Sequence, residues 1–371
     1  MKSIKTVIVH DWLTGMRGGE KVLEVLCELY PGATLVTLLH NKGSLSPTIE
    51  KMNIKTSFID KLPFKTKKYR NYLPLFPAAI ESIDFSEFDL IISTSHCVAK
   101  GAIRREGGLH ICYCHTPMRY VWEMFDEYFG KGKAGILTRT AMSVFAPRLR
   151  KWDVRTSGRV NYYIANSYNV ARRIKEYYNR ESDVIHPPVD TSLFQISEYS
   201  KEYFLIVSAL VPYKKVEIAI EAFNRIEKKL VVVGTGPESY KLKTMAKKNI
   251  EFLGWRDNSE LSILYANCRA LIFPGMEDFG IVPLEAMACG KPVIAFGKGG
   301  ALETVIGDGE GATGIFFDEQ TVDALVKSIY DFEKKYFDPQ KIREHALEYD
   351  RALFKEKIKI YIEDKVKHHF K

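Results

Sequence analysis

Short apolar runs alternate with amphipathic stretches along the whole chain, which predicts strands separated by helices. The first apolar run, residues 6–10, reads as a buried strand. It leads into a glycine-rich loop, Asp11-Trp12-Leu13-Thr14-Gly15-Met16-Arg17-Gly18-Gly19, and a helix from Glu20 to about Tyr30 that Pro31-Gly32 stops. Further strands are predicted at 34–38, 90–93, 109–114 and 162–165, with a helix capped by Asn166 or Ser167. The alternation breaks at Ile185-His186-Pro187-Pro188-Val189-Asp190, where two prolines make a stiff connector, and the polar stretch up to Lys201 shows no core pattern. A second series follows, with strands at 203–208, 230–233, 251–253, 270–273, 293–295 and 314–316. Helices fit at 216–228, 258–266, 283–289 and 321–335.

Strands joined by helices form parallel sheets with right-handed crossovers, so the expected class is α/β with two Rossmann-like, doubly wound domains facing each other across a cleft. The length of 371 residues is more than one core usually fills. The boundaries expected are 1–185 and 190–350. No apolar run approaches the roughly 18 residues that span a bilayer. Met1 runs almost directly into the first strand, a pattern that predicts no signal peptide and a cytoplasmic protein. The six cysteines lie in apolar segments without a Cys-x-x-Cys pair and read as reduced core thiols.

In parallel sheets ligands sit beyond the carboxyl ends of strands, so motifs just after strands carry the chemistry. The most informative is Phe273-Pro274-Gly275-Met276-Glu277-Asp278-Phe279-Gly280-Ile281-Val282-Pro283-Leu284-Glu285-Ala286. Pro283 suits a first helical turn, Gly290 its end, and Pro292 stops continuation. The loop therefore delivers the backbone N–H groups of Gly280, Ile281 and Val282 to a helix N-terminus, where anions bind. Glu277 and Glu285 present carboxylates from the loop and from about a turn into the helix.

The Glu-x-Phe-Gly-x-x-x-Leu-Glu-Ala frame resembles the signature of the group-one (family 4 type) retaining glycosyltransferases of the GT-B fold. By that resemblance Glu277 and Phe279 lie in the donor site, Glu277 against the sugar, with Glu285 on the ribose hydroxyls and the phosphates on the N–H groups between the two glutamates. Ser208-Ala209-Leu210-Val211-Pro212-Tyr213-Lys214-Lys215 stands where the family has Gly-Arg-Leu, three residues, Lys, which gives Lys214 the donor diphosphate. Ala209 departs from the usual Arg, leaving Lys215 or Arg17 as substitutes for the missing cation. Val233-Gly234-Thr235-Gly236-Pro237 is a glycine turn of the same kind, and Gly18-Gly19 would let the backbone approach the donor phosphate.

Cys112-Tyr113-Cys114-His115-Thr116-Pro117-Met118-Arg119-Tyr120-Val121-Trp122 places His115 past a strand end, where it is either a core histidine or a ligand contact. This string and Ser95-His96-Cys97-Val98-Ala99-Lys100-Gly101 resemble the mannosyltransferase-like subset of bacterial surface-polysaccharide assembly. The resemblance implies that His115 touches the donor hexose, with His96 and Arg119 on the acceptor side. His115, Lys214 and Glu277 would be the catalytic set. Transfer would retain configuration, take a hexose from GDP-mannose in preference to a UDP-sugar, act on a lipid-linked or oligosaccharide acceptor, and need no metal or other cofactor. The family's final helix crosses back onto the first domain, which assigns residues from about 351 to 371 there.

The net charge of +8 suits a phosphorylated ligand, an anionic membrane or nucleic acid alike. The stretch 61–76 mixes Lys61, Lys65, Lys67, Lys68 and Arg70 with Phe64, Tyr72, Leu73, Leu75 and Phe76, which fits either a peripheral contact with anionic lipid on the inner face of the membrane or a solvated loop. Nucleic acid is not expected, because the basic stretches lie away from the motifs. A dinucleotide oxidoreductase is excluded by the glycine spacing at 15–19 and 234–236. The alternatives kept are a nucleotide-sugar 2-epimerase of the same fold and a non-enzymatic nucleotide- or RNA-binding protein.

Overall fold

The computed structural model describes residues 4–119, 121–122, 136–197 and 201–371. The chain divides into two compact units, Met1–Pro187 with Phe354–Lys371, and Pro188–Leu353. In the first, β1 (Thr6–His10), β2 (Thr34–Thr37), β3 (Asn53–Thr56), β4 (Leu90–Ser95), β5 (Leu109–Cys114), β6 (Tyr162–Ala165) and β7 (Ser182–Val184) pair in the order 3-2-1-4-5-6-7, every pair parallel. The helices that position the site or cover the sheet are α1 (Gly18–Leu29), α2 (Ile136–Ser157) and α3 (Tyr168–Tyr178). Residues of the inner strands β1, β2, β4, β5 and β6 are buried on both faces, as covered parallel sheets require. Val7 and Val9 enter one core with Val36 and Ile91, while Ile8 enters another with Leu35, Ile92 and Ile111.

The C-terminal helix Arg351–His369 contributes Phe354, Ile358 and Ile362 to that second core, at a spacing of four that puts them on one face. Each such side chain contributes roughly 1.5–3 kcal/mol by leaving water. Lys355 Nζ adds an ion pair to Glu28 Oε2 at 2.8 Å.

The second unit holds β8 (Tyr203–Val207), β9 (Lys229–Val233), β10 (Ile250–Gly254), β11 (Leu271–Phe273), β12 (Val293–Phe296) and β13 (Gly314–Phe317) in the parallel order 10-9-8-11-12-13. Its principal helices are α4 (Val216–Ile226), α5 (Asn258–Asn267), α6 (Ile281–Ala288), α7 (Val322–Glu333) and α8 (Pro339–Leu347). The same alternation builds two cores, Leu205, Val231, Val233 and Phe273 on one face, Phe204, Ile206, Leu230 and Ile272 on the other.

The structure corrects two readings of the sequence. The stretch after the double proline is not free of core residues, since Val189 and Phe194 are fully buried in the second unit. In 61–76, Tyr69, Leu73 and Phe76 are core rather than surface, with Tyr69 and Phe76 packed on Trp12 at ring distances of 5.3 and 5.8 Å; Phe64 and Leu75 are exposed. The side chains of Lys67 and Lys68, and the whole of Tyr120, lie outside the described residues. All six cysteines are buried free thiols. Among the described residues no helix is long and apolar enough to cross a membrane.

Candidate functional site

In each sheet the strand order reverses once, between β1 and β4 and between β8 and β11, and the loops that leave the carboxyl ends there hold the motif residues. In the second unit these loops are knitted together by glycines. Gly234 has φ +130°, and a Cβ there would lie 1.9 Å from the Ser208 carbonyl oxygen; one at Gly236 would lie 2.2 Å from that of Leu210. The loop after β9 thus rests directly on the loop after β8, with Leu210 N–H donating to Thr235 O at 3.0 Å. Gly275 brings the loop after β11 against Lys214, and Gly300 N–H donates to Glu277 O at 2.9 Å.

Within this frame Lys214 Nζ forms an ion pair with Glu277 Oε1, and the same ammonium lies 5.5 Å from the Tyr213 ring centre. The helix α6 starts at Ile281, two residues earlier than the sequence suggests, with Gly280 at φ +95° before it and Pro283 in its first turn. The N–H groups of Gly280, Ile281 and Val282 therefore all stand at its N-terminal turn, the positive end of the helix. Phe279 is buried, its ring 5.8 Å from that of Tyr349. Glu285, also buried, accepts a hydrogen bond at 2.9 Å from the hydroxyl of Tyr265, a fully buried residue of α5. Ala209 is exposed, and Lys215 caps α4 in a left-handed conformation.

In the first unit Gly18 and Gly19 open α1. A Cβ on Gly19 would stand 3.4 Å from His115 Nε2 and 3.8 Å from His10 Cε1, so this glycine brings backbone against two histidines. His115 N–H donates to Ser95 O at 2.8 Å, and its ring lies 5.2 Å from Tyr113 and 6.3 Å from His96. Its Nε2 is hidden from solvent with no hydrogen-bond partner among the described residues. Burial, and then the neighbouring His96 and His10, push His115 down to about 3, so it is a neutral imidazole at physiological pH. His96 is pushed below its ordinary value by burial, against the pull of Asp11. Arg119 is half-buried in the turn beyond His115.

The structure thus brings His96, His115 and Gly19 together in one unit, and Lys214 and Glu277 in the other. It adds residues that motif reading passed over. Asp11 is fully buried and accepts from the N–H groups of His96 and Cys97 on one oxygen and of Val98 and Ala99 on the other, all within 2.9 Å. Glu20 accepts from Arg17 N–H at 3.0 Å and lies 3.7 Å from His10, whose Nδ1 bonds to Thr94 Oγ1. Burial alone would raise the Glu20 carboxyl; the neighbouring His10 and the backbone donor outweigh it and hold the group below its ordinary value. Their one sequence signal was the polar string His10-Asp11 at a strand end.

Comparison with known proteins bears on the family and the fold. Residues 190–349 match the family described as Glycosyl transferases group 1, and residues 17–193 match Glycosyltransferase Family 4. The chain is 32% identical over 152 residues to the O-antigen chain mannosyltransferase RfbU of Salmonella typhimurium, covering 37% of this chain and 42% of that protein. It is 27% identical over 246 residues to the alpha-1,3/1,6-mannosyltransferase ALG2 of Saccharomyces cerevisiae, covering 52% and 47%. These matches span about half or less of either relative's length. Among solved structures, HepE of Anabaena in complex with UDP superposes with a TM-score of 0.70 at 16% identity, covering 97% of this chain and 100% of that one. The two family matches together run from residue 17 to 349, and the chain belongs to the group 1, family 4 glycosyltransferases of the GT-B fold.

Proposed function

We propose that the protein transfers a hexose, mannose favoured, from a nucleoside diphosphate sugar to a lipid-linked or saccharide acceptor, with retention of configuration and without a metal ion. The observation that carries this reading is the pairing of Lys214 with Glu277 at the switch point of the second sheet, in the loop that leads into α6, the helix that carries Glu285. A cation, a row of backbone N–H groups and two carboxylates together match a diphosphate, a sugar and a ribose. Lys214 and the N–H groups stabilise the charge that grows on the departing diphosphate, and that diphosphate takes the acceptor's proton in a front-face attack. His115, as a neutral imidazole, offers a hydrogen bond to the sugar without adding charge. The mannosyltransferases among its relatives favour mannose, and hence GDP-mannose; HepE, seen with UDP, keeps a UDP-sugar as the competing donor.

The test is product formation from GDP-mannose and from UDP-glucose, with bacterial membrane lipid as acceptor source and EDTA present. The expected result is acceptor-dependent release of GDP. Preference for the UDP-sugar would reverse the donor assignment. Isomerised or hydrolysed donor without acceptor dependence would replace transfer with the epimerase reading.

The protein works at the inner membrane face, on this proposal, through the exposed Phe64 flanked by Lys61 and Arg70. Flotation with anionic vesicles should be lost in Phe64→Ser combined with Lys61→Ser and Arg70→Ser; unchanged flotation would return this segment to an ordinary loop.

A further inference from the structure

One carboxylate of α2, far from His96 and His115 in sequence, gathers the two segments that carry them. Asp153 is fully buried. Its Oδ1 lies 3.0 Å from the ammonium of Lys100, in the turn after β4 that begins at His96. Its Oδ2 accepts a hydrogen bond at 2.8 Å from the indole N–H of Trp122, in the segment after β5 that begins at His115. The Tyr178 hydroxyl of α3 donates to the same oxygen at 2.9 Å.

Each segment is braced around the group it lends to Asp153. On the β4 side Asp11 holds the N–H groups of residues 96–99, and Lys100 N–H donates to Ser95 Oγ at 3.2 Å. Gly101 packs so close to α2 that a Cβ there would lie 2.6 Å from the Trp152 ring. The buried Lys100 ammonium also donates to Asp153 O at 2.6 Å and to Thr156 Oγ1 at 2.9 Å. On the β5 side Met118 and Val121 are fully buried, and Trp122 stacks on Tyr177 with ring centres 4.4 Å apart. Arg173 donates to Thr116 Oγ1, the residue after His115, at 2.9 Å.

A buried ion pair adds little net stability over apolar side chains of the same size, because desolvation of both charges offsets their attraction. What Asp153 does set is geometry, since it takes one segment on each oxygen. We propose that Asp153 is a positioning residue that joins the two segments and so fixes the His96 and His115 rings, 6.3 Å apart, for the sugar substrates. This rests on the transferase reading above.

Removing Asp153 alone would strand the Lys100 charge in the core, so the experiment takes away the whole group. Lys100→Met, Asp153→Leu and Tyr178→Phe together leave apolar side chains of similar size. This triple variant should bind GDP with wild-type affinity, while kcat for transfer falls about tenfold or more, because a small misplacement at a reacting centre slows the step. Trp122→Phe keeps a ring over Tyr177 and loses only the N–H donated to Asp153. Alone it should lower kcat about fivefold, the effect of one hydrogen bond; added to the triple variant it should lower kcat no further. Wild-type turnover in Trp122→Phe, or an equal fall in both backgrounds, overturns the proposal.

A second measurement needs no substrate and no triple variant. In NMR spectra of the whole protein the ring C–H signals of His96, assigned by their loss in His96→Asn, should shift in Trp122→Phe, since Asp153 joins the two segments. Signals of His96 that stay in place overturn the proposal whatever the kinetics. A protein that transfers sugar at a rate insensitive to these changes sinks this proposal alone. A protein that transfers nothing sinks the transferase reading, and the positioning role with it.

Discussion

Lys214 and Glu277, held on separate loops after β8 and β11, form an ion pair with each other. The two groups assigned to the diphosphate and to the sugar are therefore energetically coupled, and binding a diphosphate at Lys214 competes with Glu277. Glu277→Gln removes the competing charge. It should tighten nucleoside diphosphate binding by about fivefold, corresponding to the roughly 1 kcal/mol typical of a partly exposed pair. The same variant should slow transfer by about tenfold or more, 1.4 kcal/mol of barrier. Calorimetry beside a transfer assay checks both; weaker diphosphate binding would contradict the coupling.

Two glycines should separate fold from chemistry. Gly234→Ala forces a Cβ into the Ser208 carbonyl at a positive φ, and should destabilise the protein by about 2 kcal/mol or more. Gly19→Ala sits in the first turn of α1, where its nearest neighbour is His115 Nε2 at 3.4 Å. It should leave stability unchanged or raise it by about 0.5 kcal/mol, yet depress transfer by filling the space beside that nitrogen. Thermal melts and turnover of the two variants should therefore fall in opposite columns.

Much of this was legible because parallel strands buried on both faces read as plain apolar runs, as at Leu109–Cys114 and Tyr162–Ala165, whose bounds agree with the sequence reading. The strands that escaped, Asn53–Thr56 and Ser182–Val184, are edge strands with one apolar residue each. The long helix Ile136–Ser157 carries Pro147 inside it and lacks a clear apolar stripe. Motif glycines and glutamates could be read because their spacing is local. Asp11 and Tyr265 could not, because their partners stand 85 and 20 residues away and no local pattern announces a carboxylate that caps a distant loop.

Tyr265 donates to one oxygen of Glu285 and so fixes how the carboxylate presents the other. Tyr265→Phe keeps the packing against Phe194 while removing that bond. Affinity for nucleoside diphosphate should fall several-fold, and preference for ribose over 2′-deoxyribose should shrink. A variant with wild-type discrimination would show that Glu285 needs no such support.

His110 is fully buried against Ser93 Oγ at 2.8 Å, and burial above all pushes it down to about 3 from 6.5. With the folded value below the unfolded one, the unfolded chain binds more protons between those pH values. Stability from this residue is therefore complete above about pH 6.5 and lost as pH falls toward 3, by about 2 kcal/mol at pH 5. His110→Gln should melt less steeply with acid than the wild type. Parallel melting curves from pH 7 to 5 would contradict this.

Binding of a nucleoside diphosphate to the second unit through Lys214 is measured by calorimetric titration of GDP and of UDP, with EDTA present, into the wild type and Lys214→Ala. At least one nucleotide, GDP favoured, should bind one-to-one to the wild type and about tenfold or more weaker to the variant, as loss of a charge-assisted contact worth 1.5–3 kcal/mol implies. Absence of binding by either nucleotide at millimolar concentration, or equal affinity in the two proteins, would contradict it.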